Sequence, residues 1–280
     1  MIINRVAFSP AWVRWIAGNT FREAVRQRLL LLLIMVAATM TGGALFFSDF
    51  HFGSSELKFV TDVGFGALAF FGAILSIVSS AQFFFDEIER RTVLTVLAKP
   101  VWRAEFVLGK LGGVLLLLLV FCGLVTALLA GLLWWRETVL MQAQPGTFET
   151  GRVVAYAGVA LCGLVQWLKL SVLAALTLLV ASYARSSLLA IMAGFVALVI
   201  GQLQYLARDF YGMMDSSLAR GGVWLGGLLF PNFQLFDVAD RVGAGETLSA
   251  GLIGGLAAYA LAYMSVYGGL AVYCFRHREL

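Results

Sequence analysis

The chain has 280 residues, of which 61% are hydrophobic and only 13% charged, with a mean hydropathy of +0.89. A water-soluble domain carries about 25% charged residues, so this composition excludes an ordinary soluble enzyme and points to an integral membrane protein with several spans. The formal charge of +4 reads as affinity for anionic lipid rather than nucleic acid, because the basic residues flank apolar runs instead of forming a stripe.

Residues 10–28, PAWVRWIAGNTFREAVRQR, come first. Trp12, Trp15 and Ile16 can share one helical face, with Arg14, Arg22, Arg26 and Arg28 mostly elsewhere. That pattern predicts an amphipathic helix lying in the membrane interface; the plainer alternative is a basic anchor that enforces topology. The polar N-region is too long and too charged for a cleavable signal, so it is expected to stay attached. Runs long enough for a hydrocarbon core of about 30 Å follow near 29–48, 63–85, 110–135, 153–181, 188–206 and 249–275. They are continuous rather than alternating, which predicts helices and not barrel strands. A shorter apolar piece, GGVWLGGLLFPNF at 221–233, is interrupted by Pro231 and reads as a re-entrant or interfacial hairpin. The expected fold is therefore an all-α integral membrane protein: six transmembrane helices, an N-terminal amphipathic interfacial helix and a hairpin before the last span. A single domain covers 1–280, with segments at 1–28, 86–109 and 207–248 outside the spans.

Orientation follows from lysine and arginine. With the N-terminus inside, thirteen basic residues fall on inner segments and six on outer ones, leaving Lys169 within a span. Both termini are thus expected in the cytoplasm. Trp134, Trp135 and Tyr205 would form one aromatic belt, and Tyr273 and Phe275 the other. Cys122, Cys162 and Cys274 share no metal-type spacing and read as small packing residues. Glycine pairs such as Gly109 and Gly113, or Gly251 and Gly255, fit small-residue helix packing, although thirty glycines make chance matches expected.

The charge that the spans lack is collected after the second one, in DEIERRTVLTVLAKPVWRAEFVLGK. Asp86, Glu87, Glu89, Arg90 and Arg91 are followed by a short helical piece with Val93, Leu94 and Leu97 as an apolar edge. Thr92 can cap it, and Pro100 ends it. Arg103, Glu105 and Lys110 lead into the third span. A short helix with an apolar edge and a charged rim suits a lever for a cytoplasmic partner; an ordinary self-neutralising loop has the same composition. Lys169, in VQWLKLS, costs about 2.5–3.5 kcal/mol near a bilayer centre and shares a face with Gln166, so the pair could line a passage. Alternatively Lys169 lies off centre in a long run and snorkels to an interface.

The stretch EIERRTVLTVLAKPVWRAEFVLGK resembles the motif that ABC-2-type permeases carry between their second and third spans. The matching positions are Glu89, Thr92, Leu94, Leu97, Pro100, Val101, Arg103, Glu105, Leu108, Gly109 and Lys110. NTFREAVRQRLLLLL resembles the family's segment before the first span, with Glu23 and Arg26 in place, and LLFPNFQLFDV resembles its Pro-Asn-aromatic element before the last. Arg91 and Trp102 depart from the usual Gly and Ser. The resemblance implies an inner-membrane permease half, of an exporter rather than an importer, that forms a homodimer or heterodimer. It implies a cytoplasmic ATPase subunit as partner, contacted by the 86–109 loop with its carboxylates Glu87 and Glu89 and its arginines Arg90 and Arg91. It leaves room for a periplasmic accessory protein. ATP and Mg would then belong to the ATPase, because no G-x-x-x-x-G-K-[ST] loop occurs here: Gly109-Lys110 is followed by Leu111. Neither HExxH nor G-x-S-x-G is present, which leaves a membrane-embedded enzyme without a recognisable centre. A non-transporting scaffold that anchors a cytoplasmic protein remains the alternative reading. The substrate is not legible.

Overall fold

A computed structural model describes residues 9–47, 56–89, 102–143, 154–211, 226–227, 229–243 and 249–277; the side chains of 46–47, 56, 87–89, 143, 205–211 and 243 lie outside that description. The long elements are α1 (Pro10–Val25), α2 (Arg28–Phe47), α3 (Glu56–Glu89), α4 (Arg103–Ala143), α5 (Tyr156–Tyr183) and α6 (Ser187–Tyr211). A 3-10 turn (Phe233–Phe236), the short α7 (Ala239–Gly243) and α8 (Ala250–Arg276) complete the order. Among the described residues, α2, α3, α4, α5, α6 and α8 are long and apolar enough to cross a membrane. All regular structure there is helical.

Two helices outrun the spans expected from hydropathy. At 1.5 Å per residue, the 34 residues of α3 and the 41 of α4 reach about 51 Å and 62 Å, against a hydrocarbon core of about 30 Å. Hydropathy finds the part that meets lipid. It misses helix that continues because its polar side chains are covered by neighbouring protein, as Glu105 and Lys110 are. The 86–109 stretch is accordingly helical at both ends, up to Glu89 and again from Arg103.

The core is organised around α5, which is buried along most of its length and packs on α3, α4, α6 and α8. Helices in lipid gain little from excluding water between them, so they associate through close packing and buried hydrogen bonds. Both are present here. Ser76 donates to the carbonyl of Leu170 at 2.9 Å, joining α3 to α5, and the Trp167 indole donates to the carbonyl of Leu115 at 3.0 Å, joining α5 to α4. Buried hydroxyls such as Thr41 and Thr177 bond the carbonyl four residues back, so each is satisfied within its own helix.

α1 lies along the N-terminal part of α4. The contact is a seam of small residues: Ala17, Thr20 and Ala24 are buried, and Gly109 and Gly113 face Ile16 and Thr20. This divides the face expected from the sequence. Ile16 packs on protein, whereas Trp15 is 70% exposed and Trp12 half-buried. Glu23 is half-buried and Arg26 exposed at the C-cap. Phe275 also departs from expectation: it is fully buried, because Phe84 and Phe106 enclose it, while Tyr273 is exposed as a belt residue would be.

The irregular stretch 229–237 runs between α6 and α8. Irregular backbone at membrane depth is tolerated only where protein satisfies its polar groups. Gln204 donates to the carbonyls of Gly227 and Phe230 at 3.0 and 3.1 Å, and Tyr267 donates to that of Leu229 at 2.8 Å. The Tyr259 hydroxyl accepts from the backbone N–H of Asn232, whose own side chain accepts from that of Gln234. A Cβ at Gly201 would stand 2.5 Å from the Phe233 ring, so only glycine lets that ring seat against α6.

The two glycine pairs separate cleanly. A Cβ at Gly113 would meet Thr20 Cβ at 2.6 Å and the Ala17 carbonyl at 3.0 Å, while one at Gly255 would meet nothing within 4 Å. Gly113→Ala is expected to lower stability by about 1–3 kcal/mol through overpacking. Gly255→Ala is expected to be neutral or stabilising by up to about 1 kcal/mol through helix propensity. Thermal unfolding in detergent measures both; equal midpoints would mean that the α1 seam does not hold.

Candidate functional site

Two regions carry the residues singled out by sequence. The first is the end of the bundle where residues 90–101 connect α3 to α4. Arg90, Arg91, Thr92, Leu94, Leu97 and Pro100 lie outside the described residues, as do the side chains of Glu87 and Glu89. What the structure describes is how the two ends of that stretch are held. Phe84 near the end of α3, Phe106 at the start of α4 and Phe275 at the end of α8 form one cluster, with centroids 5.2 to 6.2 Å apart. Arg103 donates to the carbonyls of Phe275 and Arg276 at 3.2 and 2.8 Å, with its guanidinium 5.9 Å from the Phe275 ring. It thus supplies donors to carbonyls that the helix end leaves without partners, and places positive charge at the negative end of the α8 dipole.

Glu105 is buried, and its carboxylate is divided between two segments. One oxygen accepts the backbone N–H of Trp102 at 3.0 Å, a glutamate at the third helical position reaching back to the residue before its helix. The other accepts the N–H of Ser9 at 2.6 Å, at the start of α1. Lys110 is fully buried with its Nζ 5.9 Å from the Phe106 ring. Of the candidate positions, Arg103, Glu105 and Lys110 are therefore brought together here. Trp12, Trp15, Glu23 and Arg26 lie on α1, away from the second region.

That second region is a cavity of about 640 Å³ between α3, α5, α6 and the segment 233–240. Gln166 and Lys169 both line it, 3% and 7% exposed. Lys169 is the fourteenth of 28 residues of α5, about 20 Å from either helix end. The residue is buried within the bundle. The Oε1 of Gln166 has no hydrogen-bond partner among the described residues. The sequence reading did not assign Asp62, Asp237 and Asp240 to this cavity, yet they line it too. Asp62 fell one residue outside the span expected at 63–85, and the other two were read as loop. The one signal for Asp237 was its place in the PNFQLFDV element.

Residues 14–207 match the family described as ABC-2 family transporter protein. The chain belongs to that family. It is the multi-pass transmembrane permease component of an ABC-2 transporter, and such components work with an ABC ATPase. No curated protein matches it individually. The matched span of this ABC-2 permease runs from α1 into α6 and so includes Glu105 and Trp102, though not Ser9, and the α3, α5 and α6 walls of the cavity.

Glu105→Ala is expected to leave the Ser9 and Trp102 N–H groups without an acceptor, at a cost of about 1–3 kcal/mol. Glu105→Gln, which can still accept, should lose less. Faster amide exchange across 10–25 in the alanine variant measures it; unchanged exchange there would show that the carboxylate does not hold α1.

Proposed function

We propose that this permease is one half of an ATP-driven exporter in the inner membrane, with both termini in the cytoplasm and residues 86–109 receiving the push of a separate ATPase. Two copies, or this chain and a related one, complete the pathway. ATP and Mg bind to the ATPase. Leu94 and Leu97 form the apolar edge that docks, Thr92 and Pro100 delimit the short helix, and Glu87, Glu89, Arg90 and Arg91 set its register. α1 lies at the inner membrane surface with its tryptophans toward lipid, and 221–233, of which 221–225 and 228 lie outside the described residues, forms the re-entrant or interfacial hairpin before the last span.

The observation that carries this reading is that α3 belongs to both regions. One end leads into the charged stretch and is packed against α4 and α8 through Phe84, Phe106 and Phe275. The other half, from Asp62 to Ile74, lines the cavity that holds Gln166 and Lys169. From Phe84 to Asp62 is 22 residues of unbroken helix, about 33 Å, stiff enough to carry displacement from one to the other. Nucleotide can drive the switch only by favouring one arrangement of the partner over another. The packed feet of the loop pass that preference to the cavity wall.

Leu94→Asp with Leu97→Asp is expected to abolish recovery of the partner ABC ATPase when the two are co-expressed and one is tagged. Loss of at least tenfold would correspond to about 1.4 kcal/mol of docking energy. A cysteine at Thr95 should be labelled from the cytoplasmic side only. Full recovery of the ATPase with the double variant, or labelling from outside alone, would overturn the coupling role.

A further inference from the structure

The cavity carries three carboxylates and one ammonium, and the balance selects the sign of its ligand. Asp62 comes from α3, Asp237 and Asp240 from the segment that precedes α8, and Lys169 from α5. Lys169 can match one of the three carboxylates, which leaves two. Asp62 and Asp240 sit on α3 and α7, which pack together, and both line the cavity. Lys58, one turn away on α3, offsets part of the Asp62 charge but does not line the cavity. Two further observations point to a ligand. The buried Oε1 of Gln166 and the Oδ1 of Asp62 both lack a hydrogen-bond partner among the described residues, and both are acceptors. Apart from Gln202, the rest of the wall is apolar and aromatic, with Phe65, Phe70, Phe195 and Phe233 in it.

We propose that this cavity takes an amphipathic cation, its positive centre held between Asp62 and Asp240 and its apolar body against the phenylalanines. Like charges sharing a partly desolvated site cost energy that a cation bound with them removes. Aromatic rings add attraction for a cation that has shed water. An anionic head group would meet one lysine against three carboxylates, a balance that disfavours it. The volume falls within the range of pockets that enclose drug-sized molecules. Phe70 and Val199 are exposed at its edge, so an apolar molecule can enter sideways between α3 and α6. This assignment rests on the cavity being the passage of the proposed transporter.

The test uses two ions of the same shape and opposite charge, tetraphenylphosphonium and tetraphenylborate, with the full chain in phosphatidylcholine nanodiscs and empty discs as baseline. The phosphonium is expected to bind above baseline and the borate not. Asp62→Asn with Asp240→Asn should weaken phosphonium binding about tenfold, and Lys169→Met, which removes the opposing positive charge, should tighten it. Gly66→Trp fills the cavity at a position where a Cβ meets no atom within 4 Å, and should abolish it. Borate binding as tight as phosphonium, or an Asp62/Asp240 variant that binds normally, would overturn the cation assignment while leaving the passage in place. Binding of neither ion by protein that still recruits its ATPase would overturn the cavity as a ligand site and leave the coupling role standing.

Discussion

A glutamate buried at each end of α4 fixes the frame on which the rest of the molecule is hung. Glu105 accepts backbone N–H groups from Ser9 and Trp102, and Glu137 accepts the N–H of Val154 and the hydroxyl of Tyr156. A carboxylate out of water is tolerable only with strong donors around it, and hydrogen bonds to an ionised acceptor are about twice as strong as neutral ones. Each glutamate therefore fastens a segment distant in sequence: α1 at one end, the start of α5 at the other. The 32 residues from one to the other make about 48 Å of helix, more than a hydrocarbon core of about 30 Å. Inside the core, small residues and buried hydroxyls take over.

The six spans were legible because hydropathy measures what decides them, the solubility of a side chain in hydrocarbon. The charged stretch after the second span is conspicuous for the complementary reason, that nothing so polar can be left in lipid, but its residues 90–101 lie outside those the structure describes. What the sequence could not give was any property that depends on a neighbour across space. Phe275 looks like a belt aromatic until Phe84 and Phe106 are seen to enclose it. Gly109 with Gly113 and Gly251 with Gly255 have the same spacing, yet only the first pair has a helix against it. Glu105 reads as a surface charge of the loop and is instead buried as a backbone acceptor.

The cavity illustrates the same limit from the side of chemistry. Gln166 and Lys169 could be found because a polar pair in the middle of a long apolar run is conspicuous. Their carboxylate neighbours could not, since Asp62 sits at a span boundary and Asp237 and Asp240 sit in what reads as an outer loop. The lysine seen alone suggests an anionic ligand. Seen with Asp62, Asp237 and Asp240 in the same cavity wall, it suggests the reverse. Sign, in a low-dielectric site, belongs to the group of charges and not to its most conspicuous member.

The two regions also differ in how easily they can change. At the loop end, three phenylalanines, the Arg103 bonds to the α8 carbonyls and the Glu105 clasp overlap on the same few residues, so moving one element means disturbing all of them. On the other side of the cavity, 229–237 is held by separate bonds from Gln204, Tyr259 and Tyr267, each a single side chain against backbone. A neutral hydrogen bond of this kind contributes about 0.5–1.5 kcal/mol net, and it can be exchanged one at a time for another acceptor or for water. Tyr259, Tyr263 and Tyr267 stand one turn apart on α8, with rings 4.8 and 5.5 Å from one another, which offers the segment a row of hydroxyls rather than a single seat. On the proposed coupling route, a displacement along α3 would meet a stiff assembly where it enters and a row of exchangeable bonds where it arrives, which favours the second as the place where the shape changes.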